Sequence, residues 1–222
     1  KRLVKTGYAS ESLIRKIYCT KEFHKKNSSW YEENNIKSSL IEIVPEKLFK
    51  KISYTKSPSG VAAICKIPNY PIIQPIKEKW LYLDKISDPG NLGTILRAAS
   101  WFGIKDIALS RDSVDPYNPK TIRAGMGAHF YLRIYQNIEL IDFIDTHTLI
   151  AVNTKGSDIS KFIFPKKYVL ILGNEAHGIS PEIIKMVQNS VTIEKLGLGE
   201  SLNVATAASI IIYLATVKKN SK

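Results

Sequence analysis

Apolar and polar positions in the second part of the chain fall into blocks that predict strands and helices in alternation. Short, nearly continuous apolar runs are typical of strands buried on both faces, whereas apolar residues three and four positions apart predict helices that pack on a sheet. The predicted strands cover residues 80–83, 104–109, 149–153, 168–172 and 191–194, and the predicted helices begin near residues 91, 119, 181 and 203. This alternation indicates an α/β fold, with a parallel sheet and helices on both faces.

The first part of the chain predicts a separate, small α/β domain. Its elements are a strand at 41–44, a helix at 45–52 that begins at a proline, and a strand at 61–66 that follows the turn 57–60. The segment 25–35 has few apolar residues, and we interpret it as a polar insert.

A proline-rich stretch separates these two parts. Residues 67–79 contain three prolines, which oppose both a helix and a central strand. We therefore place the domain boundary here, with residues 1–76 as the first domain, including this linker, and residues 77–222 as the second. A chain of 222 residues can bury one good core or two modest ones, so two domains fit the length.

The charge favours an anionic partner without naming one. Lysine and arginine number 32 against 20 acidic residues, and the net charge of +12 attracts polyanions but also keeps a protein soluble. Cys19 and Cys65 form no Cys-x-x-Cys pattern and His24 lacks further ligands, so we expect free thiols and no metal site. The longest apolar run, 209–217, is too short for a membrane span. We expect a cytoplasmic protein.

Candidate chemistry begins in the segment 87–103. Its first residues form a turn, and Asn91 is predicted to cap the helix that follows. Arg97 lies six residues further on, and its side chain leans back toward the start of the helix. Its guanidinium can hold a phosphate group with two hydrogen bonds. The alternative is an arginine in a surface ion pair.

The second segment, 168–178, is an apolar strand closed by a glycine-rich turn. We interpret Gly173 as a place where a flat ligand approaches the backbone, and Gly178 as the residue that lets the loop turn back. Glu175 follows the carboxyl end of the strand, either as an acceptor in an active site or as a helix-cap carboxylate. His177 is either a base or a loop histidine, and the sequence indicates no acidic partner for it.

The third segment, 193–204, opens a long alanine-rich helix. Its two glycines do not complete a dinucleotide-binding fingerprint, because Leu202 stands where the third glycine is needed. Ser201 and Asn203 can each cap the helix or hold a ligand hydroxyl. Helix capping accounts for one of these two side chains and leaves the other for a ligand.

In this order and at these intervals, the three segments resemble the motifs of the SpoU/TrmH family of RNA ribose methyltransferases, in the SPOUT superfamily, over about residues 80–217. The resemblance implies a SPOUT-type catalytic domain whose chain forms a deep trefoil knot. It implies S-adenosylmethionine as the cofactor, held mostly by backbone groups at Leu172, Gly173, Gly178, Ile193 and Leu202. The residues that match positions tied to activity in the family are Asn91, Arg97, Glu175, Ser201 and Asn203.

The same resemblance implies the reaction and the partners. We expect a homodimer that transfers a methyl group to a ribose 2′-hydroxyl in structured RNA, foremost ribosomal RNA. In family proposals the arginine that matches Arg97 is the base, but a guanidinium stays protonated, so a phosphate that it holds is the alternative proton acceptor. The alternatives for the whole protein are a tRNA substrate, or an RNA-binding assembly factor without catalytic activity.

Two further features bear on the resemblance. The family often has a serine where this chain has Gly125, which leaves open whether that segment makes a hydroxyl contact or is a helix with a glycine-rich packing face. Residues 51–62 resemble the end of the ribosomal-protein-like RNA-binding domain that often precedes the catalytic domain. Lys1 falls inside that domain, so we expect it to be incomplete at its start. The alternative is an α/β cap that does not contact RNA.

Overall fold

The computed structural model describes residues 1–9, 13–53, 55, 57–68, 70 and 77–217. The chain divides into two compact units, residues 1–69 and 70–222. Most of the predicted linker lies outside the described residues, because these omit 69 and 71–76. No helix in the described part of the chain is both long and apolar enough to cross a bilayer.

The first unit is built on a three-stranded sheet. In chain order its elements are α1 (Arg2–Ala9), β1 (Ile14–Thr20), α2 (Lys21–Lys26), α3 (Ser28–Glu33), a 3-10 helix (Ser38–Leu40), β2 (Ile41–Val44), α4 (Glu46–Ile52) and β3 (Val61–Cys65). The strand order is β2-β1-β3, with β1 parallel to β2 and antiparallel to β3. The strand predicted at 41–44 and the helix predicted at 45–52 are confirmed, and the helix begins one residue later than predicted.

The prediction of a polar insert at 25–35 is wrong. This segment contains α3, and the side chains of Trp30 and Tyr31 are only 7% and 5% exposed. Both rings pack edge-on against Phe23, with ring centroids 6.0 and 6.4 Å apart. A helix of six residues is too short to display a repeating apolar spacing, so the sequence pattern does not reveal this part of the core.

The second unit is a six-stranded parallel sheet with helices packed on it. In chain order its elements are β4 (Lys79–Leu83), α5 (Pro89–Phe102), β5 (Asp106–Leu109), α6 (Pro119–Gly125), a 3-10 helix (Ala128–Phe130), β6 (Arg133–Tyr135), a 3-10 helix (Leu140–Phe143), β7 (Thr148–Asp158), β8 (Tyr168–Leu172), α7 (Pro181–Ile184), β9 (Asn189–Thr192) and α8 (Val204–Val217). The strand order is β6-β5-β4-β8-β7-β9, and every pairing is parallel.

Helices cover both faces of this sheet. Successive residues of a strand face opposite sides, so Leu81 and Leu83 join one core while Trp80 and Tyr82 join the other. The first core includes apolar side chains of α5 and α8, and the second includes side chains of α7 and of the 3-10 helix Leu140–Phe143. The predicted α/β class with a parallel sheet is therefore confirmed.

α5 and α6 cross at two glycines. A Cβ on Gly93 would lie 2.5 Å from the carbonyl oxygen of Thr121 and 2.6 Å from the Cβ of Ala124. A Cβ on Gly125 would lie 2.9 Å from the Cε1 of His129. The glycine-rich face of α6 is therefore a packing face, and the His129 ring occupies the space where a serine side chain at position 125 would begin.

β7 pairs with β9 in two registers. Val191 is the partner of Val152 and also of Ser157, so the chain between these two residues departs from regular strand geometry. It passes so close to β9 that a Cβ on Gly156 would lie 2.4 Å from the carbonyl carbon of Val191. Only a glycine allows this approach of one backbone to another.

Candidate active site

Three loops meet at one edge of the parallel sheet. They follow the carboxyl ends of β4, β8 and β9, and in a parallel sheet these ends lie at the same edge, where ligands bind in open α/β folds. The first loop, 84–88, leads into α5; the second, 173–180, leads into α7; and the third, 193–203, leads into α8. The predicted site residues lie on these loops, on α5 or at the end of β8.

Asp88, and not Asn91, caps α5. The helix begins at Pro89, and the Oδ1 of Asp88 accepts a hydrogen bond of 2.8 Å from the backbone N–H of Asn91. The prediction that Asn91 is the cap is therefore wrong, because proline favours the first helical position and the residue before it is then the cap. The Nζ of Lys120 donates to the other oxygen of Asp88 at 2.8 Å. This bond and the N–H bond lower the pKa of Asp88.

A chain of side-chain hydrogen bonds joins the three loops. The Nδ2 of Asn91 donates to the Oε1 of Glu175 at 3.0 Å, and the Nδ2 of Asn203 donates to the Oδ1 of Asn91 at 3.0 Å. These contacts fix the orientation of the Asn91 amide, since its nitrogen faces a carboxylate and its oxygen faces a donor. Three predicted site residues that are far apart in sequence thus form one cluster.

Glu175 accepts hydrogen bonds with both carboxylate oxygens. Besides Asn91, its donors are the backbone N–H and the hydroxyl of Ser87, at 3.3 and 3.0 Å, and the backbone N–H of Asp88, at 3.3 Å. Partial burial raises the pKa of Glu175, but hydrogen bonds from Asn91, from its own backbone N–H and from Ser87 together outweigh burial and hold that pKa below its ordinary value of 4.5. These contacts attach the second loop to the first.

Asn203 caps α8 and also reaches the cluster. Its Oδ1 accepts hydrogen bonds from the backbone N–H groups of Ala205 and Thr206, at 2.9 and 3.3 Å, while its Nδ2 binds Asn91. Ser201 lies exposed two residues before it. Capping therefore accounts for the oxygen of Asn203 and leaves the hydroxyl of Ser201 available for a ligand.

Arg97 stands apart from this cluster. Its side chain is exposed on α5, about 9 Å further along the helix axis than Asn91. No salt bridge between described residues includes Arg97, so the surface ion pair considered as its alternative is not formed there. An exposed guanidinium without an ion pair is available to an external anion.

The second loop folds into a tight hairpin at the positions predicted for cofactor contacts. Asn174 and Gly178 exchange two backbone hydrogen bonds of 2.9 Å, and Gly178 has a φ of +69°, as its predicted turning role requires. A Cβ on Gly173 would lie 2.2 Å from the backbone nitrogen of Ile179. The hairpin therefore occupies the space into which a side chain at position 173 would project, so this packing requires a glycine there. Leu172, the last residue of β8, is buried.

The third loop is exposed and carries apolar side chains. Leu198 is fully exposed, and Leu196 and Leu202 are 88% and 52% exposed. Ile193, at the start of the loop, packs against the core. Around Gly197 a Cβ would meet nothing within 4 Å, so the backbone is open there. Open backbone together with exposed leucines fits a ligand that is held by backbone groups and apolar contacts.

Sequence reasoning misses two residues that hold the first loop against the second. Asp84 is 1% exposed, and it accepts hydrogen bonds from the backbone N–H and the hydroxyl of Ser180, at 2.8 and 2.5 Å. The Nδ2 of Asn174 donates to the carbonyl oxygen of Lys85 at 2.7 Å. The signal that could have found Asp84 is its position directly after an apolar strand. A carboxylate buried there needs hydrogen-bond donors from a neighbouring segment.

His177 lies in the hairpin of the second loop, and its side chain is exposed. Its backbone N–H donates to the Oδ1 of Asn174 at 3.1 Å, which fits the loop-histidine alternative. Across the described residues, no group of three or more His, Cys, Asp or Glu side chains is arranged to hold a metal ion.

Two family profiles match the sequence. The profile described as SpoU rRNA Methylase family matches residues 78–213, which include all three loops. The chain belongs to the SpoU rRNA methylase family. A second profile, described as RNA 2′-O ribose methyltransferase substrate binding, matches residues 1–71. The change from one profile to the other lies close to the boundary between the two compact units.

Relatives of this SpoU-family chain include proteins named for ribosomal RNA. It is 29% identical over 177 residues to the 23S rRNA (guanosine(2553)-2′-O)-methyltransferase RlmP of Bacillus subtilis, a match that covers 77% of this chain and 70% of that protein. A protein of the TrmH family from Porphyromonas gingivalis superposes with a TM-score of 0.82 at 29% identity, covering 98% of this chain and 87% of that chain. The AdoMet-bound rRNA methyltransferase from Sinorhizobium meliloti gives 0.79 at 28% identity, covering 97% and 84%.

Proposed function

We propose that this chain transfers the methyl group of S-adenosylmethionine to a ribose 2′-hydroxyl of ribosomal RNA. The observation that carries the proposal is the series of hydrogen bonds from Asn203 to Asn91 and from Asn91 to Glu175 at the strand ends, in a protein of the SpoU rRNA methylase family. The relative from Bacillus subtilis is named a 23S rRNA 2′-O-methyltransferase, and the neighbour from Sinorhizobium meliloti is an rRNA methyltransferase with AdoMet bound. The first name supports the reaction, and the second supports the cofactor.

The second and third loops are the proposed cofactor site. The residues that would hold the cofactor are Leu172, Gly173, Gly178, Ile193 and Leu202. Backbone groups of the hairpin and the exposed leucines of the third loop suit an adenosyl group and an amino-acid chain. When bound, S-adenosylmethionine supplies a methyl group attached to a positively charged sulfur. Transfer of the methyl group converts this sulfonium into a neutral thioether.

The polar cluster is proposed to position the ribose. Methyl transfer by in-line displacement depends on placing the 2′-oxygen behind the methyl group, and such positioning lowers the barrier by several kcal/mol or more. The exposed hydroxyl of Ser201 and the amides of Asn91 and Asn203 are groups that can hold the ribose hydroxyls. Glu175 accepts a hydrogen bond from the Asn91 amide and so fixes the orientation of that amide, to which the Asn203 amide is bonded in turn.

The proton of the 2′-hydroxyl needs an acceptor, and Glu175 is poorly suited to that role. Several donors already occupy its oxygens. Arg97 can hold an RNA phosphate beside the reacting ribose. We therefore assign phosphate binding to Arg97. The hydroxyl proton becomes strongly acidic as the 2′-oxygen bonds to the methyl group, and it then passes to that phosphate or to water.

The assembly and topology follow the same proposal. On α8, Ile210, Tyr213 and Val217 are exposed at spacings of three and four, so they share one helix face, and this apolar face supports a homodimer. The match to the SpoU rRNA methylase family supports the trefoil knot that the resemblance implies. Residues 1–76 would bind the RNA and residues 77–222 would carry the reaction, as the two family profiles support. The proposed location is the cytoplasm, which the ribosomal RNA named in the bacterial relative supports.

A substrate with a single 2′-deoxy nucleotide tests the proposed acceptor atom. After the methylated nucleotide is mapped in ribosomal RNA, an RNA that lacks only that hydroxyl is expected to receive no methyl group. Binding of the deoxy RNA is measured in parallel, so that a lost recognition contact is not mistaken for a lost acceptor. Full methylation of the deoxy RNA would contradict ribose chemistry.

Two measurements separate the alternatives. Calorimetric titration with S-adenosylmethionine distinguishes an enzyme from an assembly factor without a cofactor site, because only the enzyme is expected to bind it. Transfer assays with ribosomal RNA and with total tRNA, side by side, distinguish the two substrates. Methylation of tRNA alone would contradict the ribosomal assignment.

A further inference from the structure

A groove on the first unit lies where three connections leave one edge of its sheet. β1 and β2 are parallel and β3 is antiparallel to β1, so the ends of β1 and β2 and the start of β3 share that edge. The groove, here named the basic groove, has a volume of about 850 Å³ and is lined by parts of 20–27, 44–50 and 58–60. This volume falls within the range of about 300–1,000 Å³ that is usual for ligand sites.

The side chains around the basic groove carry more positive than negative charge. Two glutamates and four lysines line it, the latter being Lys21, Lys25, Lys26 and Lys50. Each glutamate forms a salt bridge of 2.7 Å with a lysine four residues further along its helix: Glu22 with Lys26, and Glu46 with Lys50. Lys21 and Lys25 take part in no salt bridge between described residues. Two ammonium groups without ion pairs therefore attract anions to the groove.

The floor of the basic groove is apolar, and a glycine packs closely beside it. Phe23 and Phe49 lie beneath the groove and are 9% and 1% exposed, so its accessible apolar surface is that of Pro45 and Pro58. Gly60 has a φ of +78°, and a Cβ there would lie 3.0 Å from the Cβ of Phe23 and 3.1 Å from the Oγ1 of Thr20. The carbonyl oxygen of Gly60 accepts a hydrogen bond of 3.0 Å from the backbone N–H of Thr20, which holds the turn against β1.

An apolar floor beside unpaired lysines matches the chemistry of an unstacked nucleotide. The phosphate of RNA pairs with ammonium groups, and a base that is not in a helix offers a flat apolar face. A base within an A-form helix has no such face to offer, because its neighbours stack on it. The groove therefore favours looped or single-stranded RNA over duplex RNA.

We infer that the basic groove binds an unpaired nucleotide in a loop of the RNA substrate, with Lys21 and Lys25 on its phosphates and its base on the apolar floor. The inference rests on the proposed function, because it takes the bound RNA to be the one whose ribose the second unit methylates. It assigns to these residues a recognition role that is separate from the catalytic cluster.

Two double variants of the full chain with the same loss of charge test this inference. Lys21→Ala with Lys25→Ala removes the unpaired lysines of the groove, and Lys5→Ala with Lys37→Ala removes two exposed lysines elsewhere in the same unit. The probes are a fluorescein-labelled decamer of oligouridylate and a ten-base-pair RNA duplex, titrated by anisotropy over a range of salt concentrations. Thermal unfolding confirms that both variants are folded.

The groove variant is expected to bind oligouridylate about tenfold more weakly than the control variant. Its log-log salt slope is expected to be smaller by about 1.4, because each contact to a single-strand phosphate accounts for about 0.7. Duplex binding is expected to change equally in the two variants. Ser59→Glu places a carboxylate at the groove without removing a lysine, and it is expected to weaken oligouridylate binding as well.

Equal losses in both double variants would show binding to overall positive charge and would overturn the groove assignment. Methyl transfer to 23S rRNA, measured on the same samples, separates this outcome from failure of the proposed function. Suppose that the control variant transfers methyl groups and that the groove variant binds oligouridylate as tightly as the control variant does. The groove assignment alone is then wrong. If binding depends on the groove but no sample transfers a methyl group, the groove assignment stands and the proposed reaction is wrong.

Discussion

The substitution Gly93→Ala tests whether α5 and α6 pack as closely at their crossing as the structure shows. In an isolated helix alanine is about 1 kcal/mol more favourable than glycine, so helix propensity alone predicts a more stable protein. The structure predicts the opposite, because the new Cβ would lie 2.5 Å from the Thr121 carbonyl oxygen, 2.6 Å from the Ala124 Cβ and 2.9 Å from the Gly125 nitrogen. Two of these atoms belong to the backbone and cannot rotate away.

Overpacking of this kind costs about 3 kcal/mol at the upper end of its usual range, and subtracting the propensity gain leaves a net loss of about 2 kcal/mol. For a chain of this size, 1 kcal/mol corresponds to about 2–4 °C, so the Tm is expected to fall by about 4–8 °C. Differential scanning calorimetry measures the transition. Thr94→Ala, on the exposed side of α5, is the matched control and is expected to shift the Tm by about 2 °C or less. An unchanged or raised Tm for Gly93→Ala would refute the reasoning.

Three further substitutions test the site itself. Arg97→Ala is expected to abolish methyl transfer while calorimetric titration still detects S-adenosylmethionine binding; parallel loss of both would contradict the division of roles. Glu175→Gln leaves donors unpaired at a cost of about 1–3 kcal/mol, so transfer is expected to fall about 10- to 100-fold in a rate assay, and wild-type rates would contradict it. Gly125→Ser is expected to lower the Tm because its Cβ would lie 2.9 Å from the His129 ring, and adding His129→Ala is expected to restore most of the loss, which calorimetry checks.

The lowered pKa of Glu175 also predicts a pH dependence. A carboxylate whose pKa is depressed by folding stabilises the folded state above its unfolded-state pKa, near 4.5, and loses this contribution as the pH falls through the lower folded-state value. The difference in Tm between the wild type and Glu175→Gln is therefore expected to be constant from pH 6 to 8 and to shrink below about pH 4.5. A difference that grows on acidification would contradict the assigned direction of the shift.

The sequence pattern predicts the parallel sheet well because its two innermost strands, β4 and β8, are almost wholly apolar. The strand at 168–172 is found without a change of bounds. The pattern fails where polar residues enter a strand: β9 begins at Asn189 and ends at Thr192, two residues earlier than predicted, because Asn189 and Ser190 pair with β7. It fails again at β6, a three-residue strand that is too short to show a period.

The candidate site could be predicted only in part. Asn91, Glu175 and Asn203 are recognisable as polar residues beside strand ends, and the resemblance to a family groups them. Their mutual hydrogen bonds depend on the order of strands in the sheet, which periodicity does not determine. The cap of α5 was within reach of the sequence, because Pro89 identifies the first helical position and hence Asp88.

The third loop, 193–203, is exposed between two firm attachments. At one end β9 is paired twice with β7, and at the other α8 is buried through Ala208, Ile211 and Ile212. Local rearrangement of such a loop needs little free energy, whereas release of either attachment requires unfolding of the sheet. A protease that cuts within the loop is therefore expected to leave two fragments that stay associated. A ligand that orders this loop loses about 1–2 kcal/mol of binding free energy for each residue whose backbone it fixes. Its affinity is therefore lower the more residues it immobilises.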